Sequence, residues 1–523
     1  MNTDTQLRDD RVRMTVNSGK RKIRKVVGTV IRGGLEFADT TLLIVYNNTL
    51  QNVYRGLMER LYNVKDGQGG FKPCPKPIPG IFKTLDSFKD AVTKCLPKYA
   101  TPMTREEFCA TYRGSKQKRY LSATSTLSRR PLRRSDSYVG AFIKGEFYNA
   151  TNKANPAPRL IQPRKPEYLL ETGRYLKPIE KRIYKAIDKA FGHHAVLKCD
   201  NPIKRGATIA KYWSEFKDPC FKGMDASRFD QHVSSEALEW EHSVYKAPYG
   251  RDRYLTRLLW DQIKNVGYAQ TPEGWLRYEV EGCRMSGDMN TALGNVLLMC
   301  GITKHFLDGL GVKYRFIDDG DDCGVIMERE HIHLLDTLPE HHLQYGFEME
   351  MEEAVFRIED IEFCQCKPIH LGNGKYVLVR NVHKALLQDR LHIDKDWANL
   401  AELTHAIGIC GLSLNHGLPV LDAFYRGMLN DEVRENKVRR LVDERHGDFY
   451  HCGGAQTLSE DLEVDLDAAR VSFYYAFNIL PDMQIEMESA FRAAALSTEQ
   501  AYLNYNAKST DRHGYHQTKQ QKE

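Results

Sequence analysis

Asp318-Asp-Gly-Asp-Asp places four carboxylates within five residues, around Gly320. Like charges this close are unfavourable unless cations neutralise them, and hard oxygen donors suit Mg²⁺ over a soft metal. Two such ions about 3.5–4 Å apart would activate an attacking hydroxyl and stabilise a leaving oxygen, which is the chemistry of phosphoryl transfer. Two further segments could complete the site. Met224-Asp-Ala-Ser-Arg-Phe-Asp-Gln-His supplies Asp225 and, five residues on, Asp230. Ser286-Gly-Asp-Met-Asn-Thr supplies a flexible turn at Gly287, followed by Asn290 and Thr291. Taken singly, these are a solvated acidic turn, a strand end with a helix cap, and a helix start capped by Asn290. Their order argues for one site: 61 residues part Asp225 from Ser286 (286 − 225), and 35 part Ser286 from Asp321 (321 − 286).

The elements that must carry these groups are mixed. Apolar residues at three- and four-residue spacing predict a helix over 168–191. A short strand over 221–225 would end at Asp225, with a helix over 234–245 behind it, and a carboxylate at such a strand end projects into the ligand crevice. The β-rich runs 312–317 and 323–327 bracket the acidic turn as a hairpin, and 377–382 is a further strand. After Asp394 the pattern is mainly helical. Turn-rich 65–79 is expected to set off an N-terminal piece, with another break at 415–419 and a polar, frayed tail after about residue 506.

The chain has 523 residues, 41% hydrophobic and 28% charged, which suits a globular protein of roughly three to four domain-sized units. Its net charge of +6 is mild but uneven. From Arg113 to Arg134 there are eight basic residues and no acidic one, whereas Glu340 to Glu362 carries eight acidic residues against Arg357 alone. The Ser- and Thr-rich basic run reads as an exposed loop facing a polyanion such as a nucleic acid, with Arg129, Arg130, Arg133 and Arg134 as candidate contacts. No run approaches the ~18 apolar residues of a membrane span, and no apolar signal core follows Met1. Twelve cysteines without a Cys-x-x-Cys pair indicate neither a disulfide framework nor a zinc ribbon, and imply a reducing compartment.

The three segments resemble the palm motifs of viral RNA-dependent RNA polymerases, most closely those of the tombusvirus and carmovirus group in the flavivirus-like supergroup. Asp225-Ala-Ser-Arg-Phe-Asp-Gln-His is similar to the first palm motif, Ser286-Gly-Asp-Met-Asn-Thr to the second and Gly320-Asp-Asp to the third. Pro158-Arg-Leu-Ile-Gln-Pro-Arg resembles the basic fingers motif that meets incoming triphosphates, and Glu362-Phe-Cys-Gln-Cys the hairpin that grips the growing strand. The resemblance spans about residues 140 to 385.

The resemblance implies a mixed α/β right-hand fold. Residues 1–218 would form an N-terminal extension and fingers, 219–246 and 283–384 the palm, 247–282 a fingers insertion, and 385–523 the thumb and tail. It implies an RNA-dependent RNA polymerase that replicates a positive-strand RNA virus genome. Nucleotidyl groups would pass from NTPs to an RNA 3′-hydroxyl by two-metal catalysis, with primer-independent initiation. Asp225, Asp321 and Asp322 would be catalytic and hold two Mg²⁺, for which Mn²⁺ could substitute. Lys153, Arg159, Arg164, Asp230, Ser286, Asn290 and Thr291 would bind the NTP, and Gly287 and Cys364 the RNA. The ionised Asp230 only accepts, while Asn290 donates and accepts, so the pair suits a ribose 2′-hydroxyl.

Expected partners are the template and nascent RNA, NTPs and a viral membrane-anchoring replication protein, but no DNA and no structural zinc. Cys364, Cys366 and His370 lack a fourth ligand at a suitable spacing. The expected location is the host cytoplasm, in a membrane-associated replication complex reached through a partner or through an extension absent from this chain. One departure stands out. Gly346-Phe-Glu-Met-Glu-Met-Glu-Glu has acids where the family usually offers a lysine as proton donor to pyrophosphate. That leaves Arg357, His341, His342 or a water as candidates. A reverse transcriptase and a catalytically idle RNA-binding factor are the rival readings; ribo- against deoxyribonucleotide extension and the presence of any incorporation separate them.

Overall fold

The computed structural model describes residues 9–493 and 496–497, apart from 21, 29, 32–41, 152–154, 395–398, 431 and 450–462. Its central sheet has four antiparallel strands in the order Tyr314–Asp318, Asp322–Glu328, Pro219–Ala226 and Met349–Met351. Side chains alternate across a strand, so each face of this sheet belongs to a different core. Cys220, Met224, Phe316, Val325 and Met327 face one side, where they meet Ile183 and Ile187 of helix Pro166–Phe191, Leu238 of Ser235–Lys246 and Val296 of Thr291–Asp308. Phe221, Ile317 and Ile326 face the other, against Ile209 and Tyr212 of helix Pro202–Trp213 and against Phe363. Both faces are covered, which explains the unbroken apolar run in Asp322–Glu328. The 168–191 helix, the 221–225 strand, the acidic hairpin and the 377–382 strand are all present, the last as Tyr376–Arg380.

A second sheet orders Val12–Val16, Gly274–Glu281, Lys264–Thr271 and Val139–Gly140. The strictly alternating burial of Lys264–Thr271 and Gly274–Glu281 lays one face on Tyr46, Val53, Leu57 and Leu61. This corrects the expected boundary at 65–79. That segment holds a hairpin, Asn63–Lys65 with Phe71–Pro73, while the residues before it share a core with Leu276, Tyr278 and Met285. Turn chemistry reports a chain reversal, not the end of a packing unit. Residues 415–419 behave likewise, because Leu418 and Val420 are buried in one C-terminal core with Leu403, Phe424, Phe473 and Phe491.

The basic run is likewise not a loop. Gly114–Arg129 is a helix that buries Tyr120, Ala123 and Leu127 against Phe108, Tyr112 and Leu170. Its apolar face is only three side chains wide, and the intervening Ser and Thr conceal the helical period. Among the described residues no helix is long and apolar enough to cross a membrane. The tail after residue 506 lies outside the described residues.

Candidate active site

Strand register brings the key carboxylates together. Asp225 stands directly opposite Asp322 on one neighbouring strand and opposite Glu350 on the other, so the three cross one sheet face in a row. Asp225 and Asp321 are exposed. Asp322 is half-buried, and its carboxyl is pushed up to about 7 by burial and by the charges of Asp321, Asp319 and Asp225, against the pull of the Cys364 N–H. A cation would relieve that repulsion. Among the described residues no three His, Cys, Asp or Glu side chains converge tightly enough to hold a metal ion as they stand. The carboxylate oxygens of Asp225, Asp321 and Asp322 fit a hard cation in kind.

Strand parity divides the four hairpin carboxylates. Asp318 lies on the same side as Phe316, facing helix Pro166–Phe191, is fully buried and accepts from the Gly320 N–H at 3.1 Å. Asp319 turns to two cations, Lys198 at 2.6 Å and Arg205 at 2.5 Å. Neither cation was foreseen. The Cys364 N–H donates to Asp322 Oδ2 at 2.9 Å and its thiol lies 3.3 Å from Asp319 Oδ2, so the 362–366 turn is tied to the acidic hairpin. Cys366 Sγ meets the Cys364 carbonyl at 3.5 Å, and His370 Nε2 accepts from the Gly374 N–H at 3.1 Å.

The expected pairing of Asp230 with Asn290 is corrected. Asn290 is fully buried and faces inward, donating to Glu241 Oε1 at 2.7 Å and accepting from Gln262 Nε2 at 2.9 Å, and it makes no side-chain cap. Asn295 is the asparagine that faces Asp230, its Nδ2 3.2 Å from Asp230 Oδ1. Helix Thr291–Asp308 advances ~100° per residue, so five residues carry the next asparagine to a different face. The missed signal was a lone amide between Leu293 and Val296 in an apolar helix, since a buried polar group needs a partner. Burial pushes the Asp230 carboxyl up to about 6, opposed by the Asn295 bond and by Arg284.

The Ser286-Gly287 turn packs on the Leu160–Ile161 strand and its continuation. Ser286 Oγ accepts from the Gln162 N–H at 3.0 Å, and Gly287 bridges Pro163. A Cβ at Gly287 would lie 2.5 Å from Pro163 Cα, so only glycine allows this approach. Thr291 donates within the turn, to the Met285 and Asp288 carbonyls. Arg159 is about half exposed, 3.7 Å from Glu146, and its charge acts on Asp230. Arg164 is corrected: its side chain is 0% exposed and its guanidinium is spent on Asp288, Asn265 and two carbonyls. Lys153 lies outside the described residues.

Comparison with known proteins gives these motifs a family. A family model described as viral RNA dependent RNA polymerase matches residues 15–499. This chain belongs to the viral RNA-dependent RNA polymerase family. It is 37% identical over 497 residues to the RNA-directed RNA polymerase of turnip crinkle virus, covering 94% of this chain and 62% of that relative. It is 40% identical over 455 residues to that of tobacco necrosis virus strain D, covering 86% of this chain and again 62% of the relative. With that of carnation mottle virus the identity is 37% over 460 residues, 87% of this chain and 59% of the relative. The chain thus spans less than two thirds of the length of these polymerases.

For a member of this polymerase family, the three side chains weighed as proton donors are occupied elsewhere. His342 is buried, pushed down to about 3 by burial, and bonded to Thr303 and the Leu338 carbonyl. His341 stacks on His305 and meets the Ile302 carbonyl at 3.2 Å, and Arg357 pairs with Asp360 beneath Tyr475. None of these contacts includes Asp225, Asp321 or Asp322. The basic run also divides. Arg130 is bound to Asp136 at 2.6 Å and Arg134 to Asp261, whereas Arg113, Lys118, Arg119, Arg129 and Arg133 are exposed. Arg130 and Arg134 are thus ion-paired within the chain while partly accessible.

Proposed function

We propose that this chain is the RNA-synthesising part of a positive-strand RNA virus polymerase, folded as a right hand with the central sheet as its palm. The observation that carries this is the Asp225–Asp322 register pair, with Asp321 beside it at the hairpin tip. Asp225, Asp321 and Asp322 would hold two Mg²⁺, which when bound supply activation of the 3′-hydroxyl and neutralisation of phosphate charge. Arg159, on the Pro158–Ile161 segment, meets the triphosphate. The deciding measurement is incorporation of labelled ribonucleotide on a homopolymer template by the purified chain; no incorporation with either Mg²⁺ or Mn²⁺ rejects the proposal.

Asp230 and Asn295 hold the ribose. Asp230 accepts while the Asn295 amide nitrogen donates, matching a hydroxyl that does both. A site of this kind rejects the deoxy analogue because its polar groups are left unpaired, at about 1–3 kcal/mol each, or roughly 5- to 150-fold. Asp230→Ala and Asn295→Ala are therefore expected to lower ribonucleotide use far more than deoxyribonucleotide use. Parent-like preference for ribose in both variants would mean that the two groups merely satisfy each other.

Exposed cations of the Gly114–Arg129 helix and the turn after it track the RNA backbone. Neutralising Arg113, Lys118, Arg119, Arg129 and Arg133 together is expected to make log affinity less dependent on log salt, by a slope change of up to about 3.5 for single-stranded RNA. Neutralising Arg130 and Arg134 changes the slope little and costs stability instead. An unaltered slope in the fivefold variant would exclude this face from the RNA path.

Synthesis also starts without a primer, as the family resemblance implies. Product made on several templates with no added primer is the expected result. Strict dependence on a primer, with Mn²⁺ present, is the contrary one.

A further inference from the structure

An asparagine amide has two ends of nearly the same shape and opposite hydrogen-bonding sense. Which end faces the sugar decides whether Asn295 can complement Asp230. The Asn295 oxygen lies 3.2 Å from Arg284 Nε, and its nitrogen 3.2 Å from Asp230 Oδ1. An arginine only donates, so whichever end meets Arg284 has to be the oxygen. Flipping the amide would set two donors against each other and two acceptors against each other.

Arg284 is itself held without freedom. Its side chain is 0% exposed, as is that of Glu241, which it grips through both terminal nitrogens. Glu241 Oε1 also accepts from the Tyr245 hydroxyl at 2.8 Å and from Asn290 at 2.7 Å. Gly294 leaves room for the pair, since a Cβ there would lie 2.2 Å from Arg284 Nη2 and 2.5 Å from Glu241 Oε1. The Arg284 N–H donates to the Asp230 carbonyl at 2.8 Å, so one residue touches both members of the sugar pair. A buried ion pair adds little net stability over apolar packing of the same volume, so its orienting effect on Asn295 is the more informative property.

We propose that Arg284, braced by Glu241, is a positioning residue for ribose selection: it fixes the Asn295 amide with its donor end toward Asp230. This rests on the reading of Asp230 and Asn295 as the ribose-binding pair. Arg284→Lys keeps a cation for Glu241 but loses the Nε donor to Asn295. The ratio of kcat/KM for a ribonucleotide to that for its deoxy analogue is expected to fall by about 5-fold or more in this variant. Gly294→Ala, which presses a methyl group onto the same pair, is expected to lower the ratio in the same direction and serves if Arg284→Lys does not fold.

The double variant Arg284→Lys with Asn295→Ala closes the test. A relay through Asn295 predicts no further loss of the ratio beyond that of Asn295→Ala alone. The proposal is overturned if Arg284→Lys and Gly294→Ala slow both nucleotides equally, or if the Arg284→Lys loss persists in full without the Asn295 amide. An unchanged ratio in Asn295→Ala rejects the ribose-pair reading itself. A lowered ratio there, with parent-like ratios in the other two, rejects only the relay.

Discussion

Asp225→Asn and Asp321→Asn each reduce nucleotide incorporation by at least about 10²–10³-fold, the scale of losing one electrostatic contact to a transition state, while leaving the melting temperature unchanged or higher. Both side chains are exposed, so neither supports a core. Each adds charge to a row that already holds Asp322 and Glu350. Removing one charge relieves repulsion in the folded chain and leaves the apolar faces intact. The Asp322 carboxyl makes the same point through pH. Its value rises from 3.8 to about 7 on folding. A carboxyl raised by folding favours the native state at low pH, and that contribution is lost as pH climbs through the folded value. The metal-free protein is therefore expected to lose stability between about pH 4 and pH 7 on account of Asp322, and Asp322→Asn is expected to flatten that slope. Thermal melts across this range check the sign. Normal incorporation by Asp225→Asn or Asp321→Asn would sink the two-metal assignment.

Arg164→Met costs about 3–5 kcal/mol of stability, the scale of stranding a buried charge. Arg164 donates to Asp288 at 2.5 and 3.2 Å, to Asn265 at 2.6 Å, and to the Ser137 and Asp261 carbonyls at 2.7 and 3.2 Å. Its side chain is 0% exposed and that of Asp288 3%. Substitution leaves the buried Asp288 carboxyl beside the Ser286-Gly287 turn without its arginine, and Asn265 and two carbonyls short of donors. Early loss of structure in thermal melts, or rapid proteolysis, is the expected reading. Arg159→Ala provides the contrast: being half exposed, it is expected to melt like the parent while raising the KM for NTP. If Arg164→Met instead melts like the parent and raises only KM, the arginine belongs to the triphosphate site after all.

Arg159 and Arg164 look equivalent in the sequence, two arginines in one short basic motif, and only packing separates them. Pro163 brings the chain against Gly287, which seals Arg164 behind the turn and leaves Arg159 at the crevice. The meeting of Asp225 with the acidic hairpin was legible because it depends on residue type and on the order of strand and hairpin along the chain. So were the long helix, the central strand and the acidic hairpin, whose apolar periods are local. The Gly114–Arg129 helix was not, because its buried face of three residues becomes visible only against Phe108 and Leu170. Nor was the choice between Asn290 and Asn295. Both asparagines lie at the start of one helix, and either suits a hydroxyl by type. Helical rotation and the buried Glu241–Arg284 pair decide it, turning one amide into the core and the other toward Asp230. The sequence by itself determined which kinds of side chain the three motifs offer and in what order, because charge and hydrogen-bonding sense belong to each residue. The tertiary structure decided which copies of each residue face one another and which are buried, because burial and partners exist only once distant segments meet.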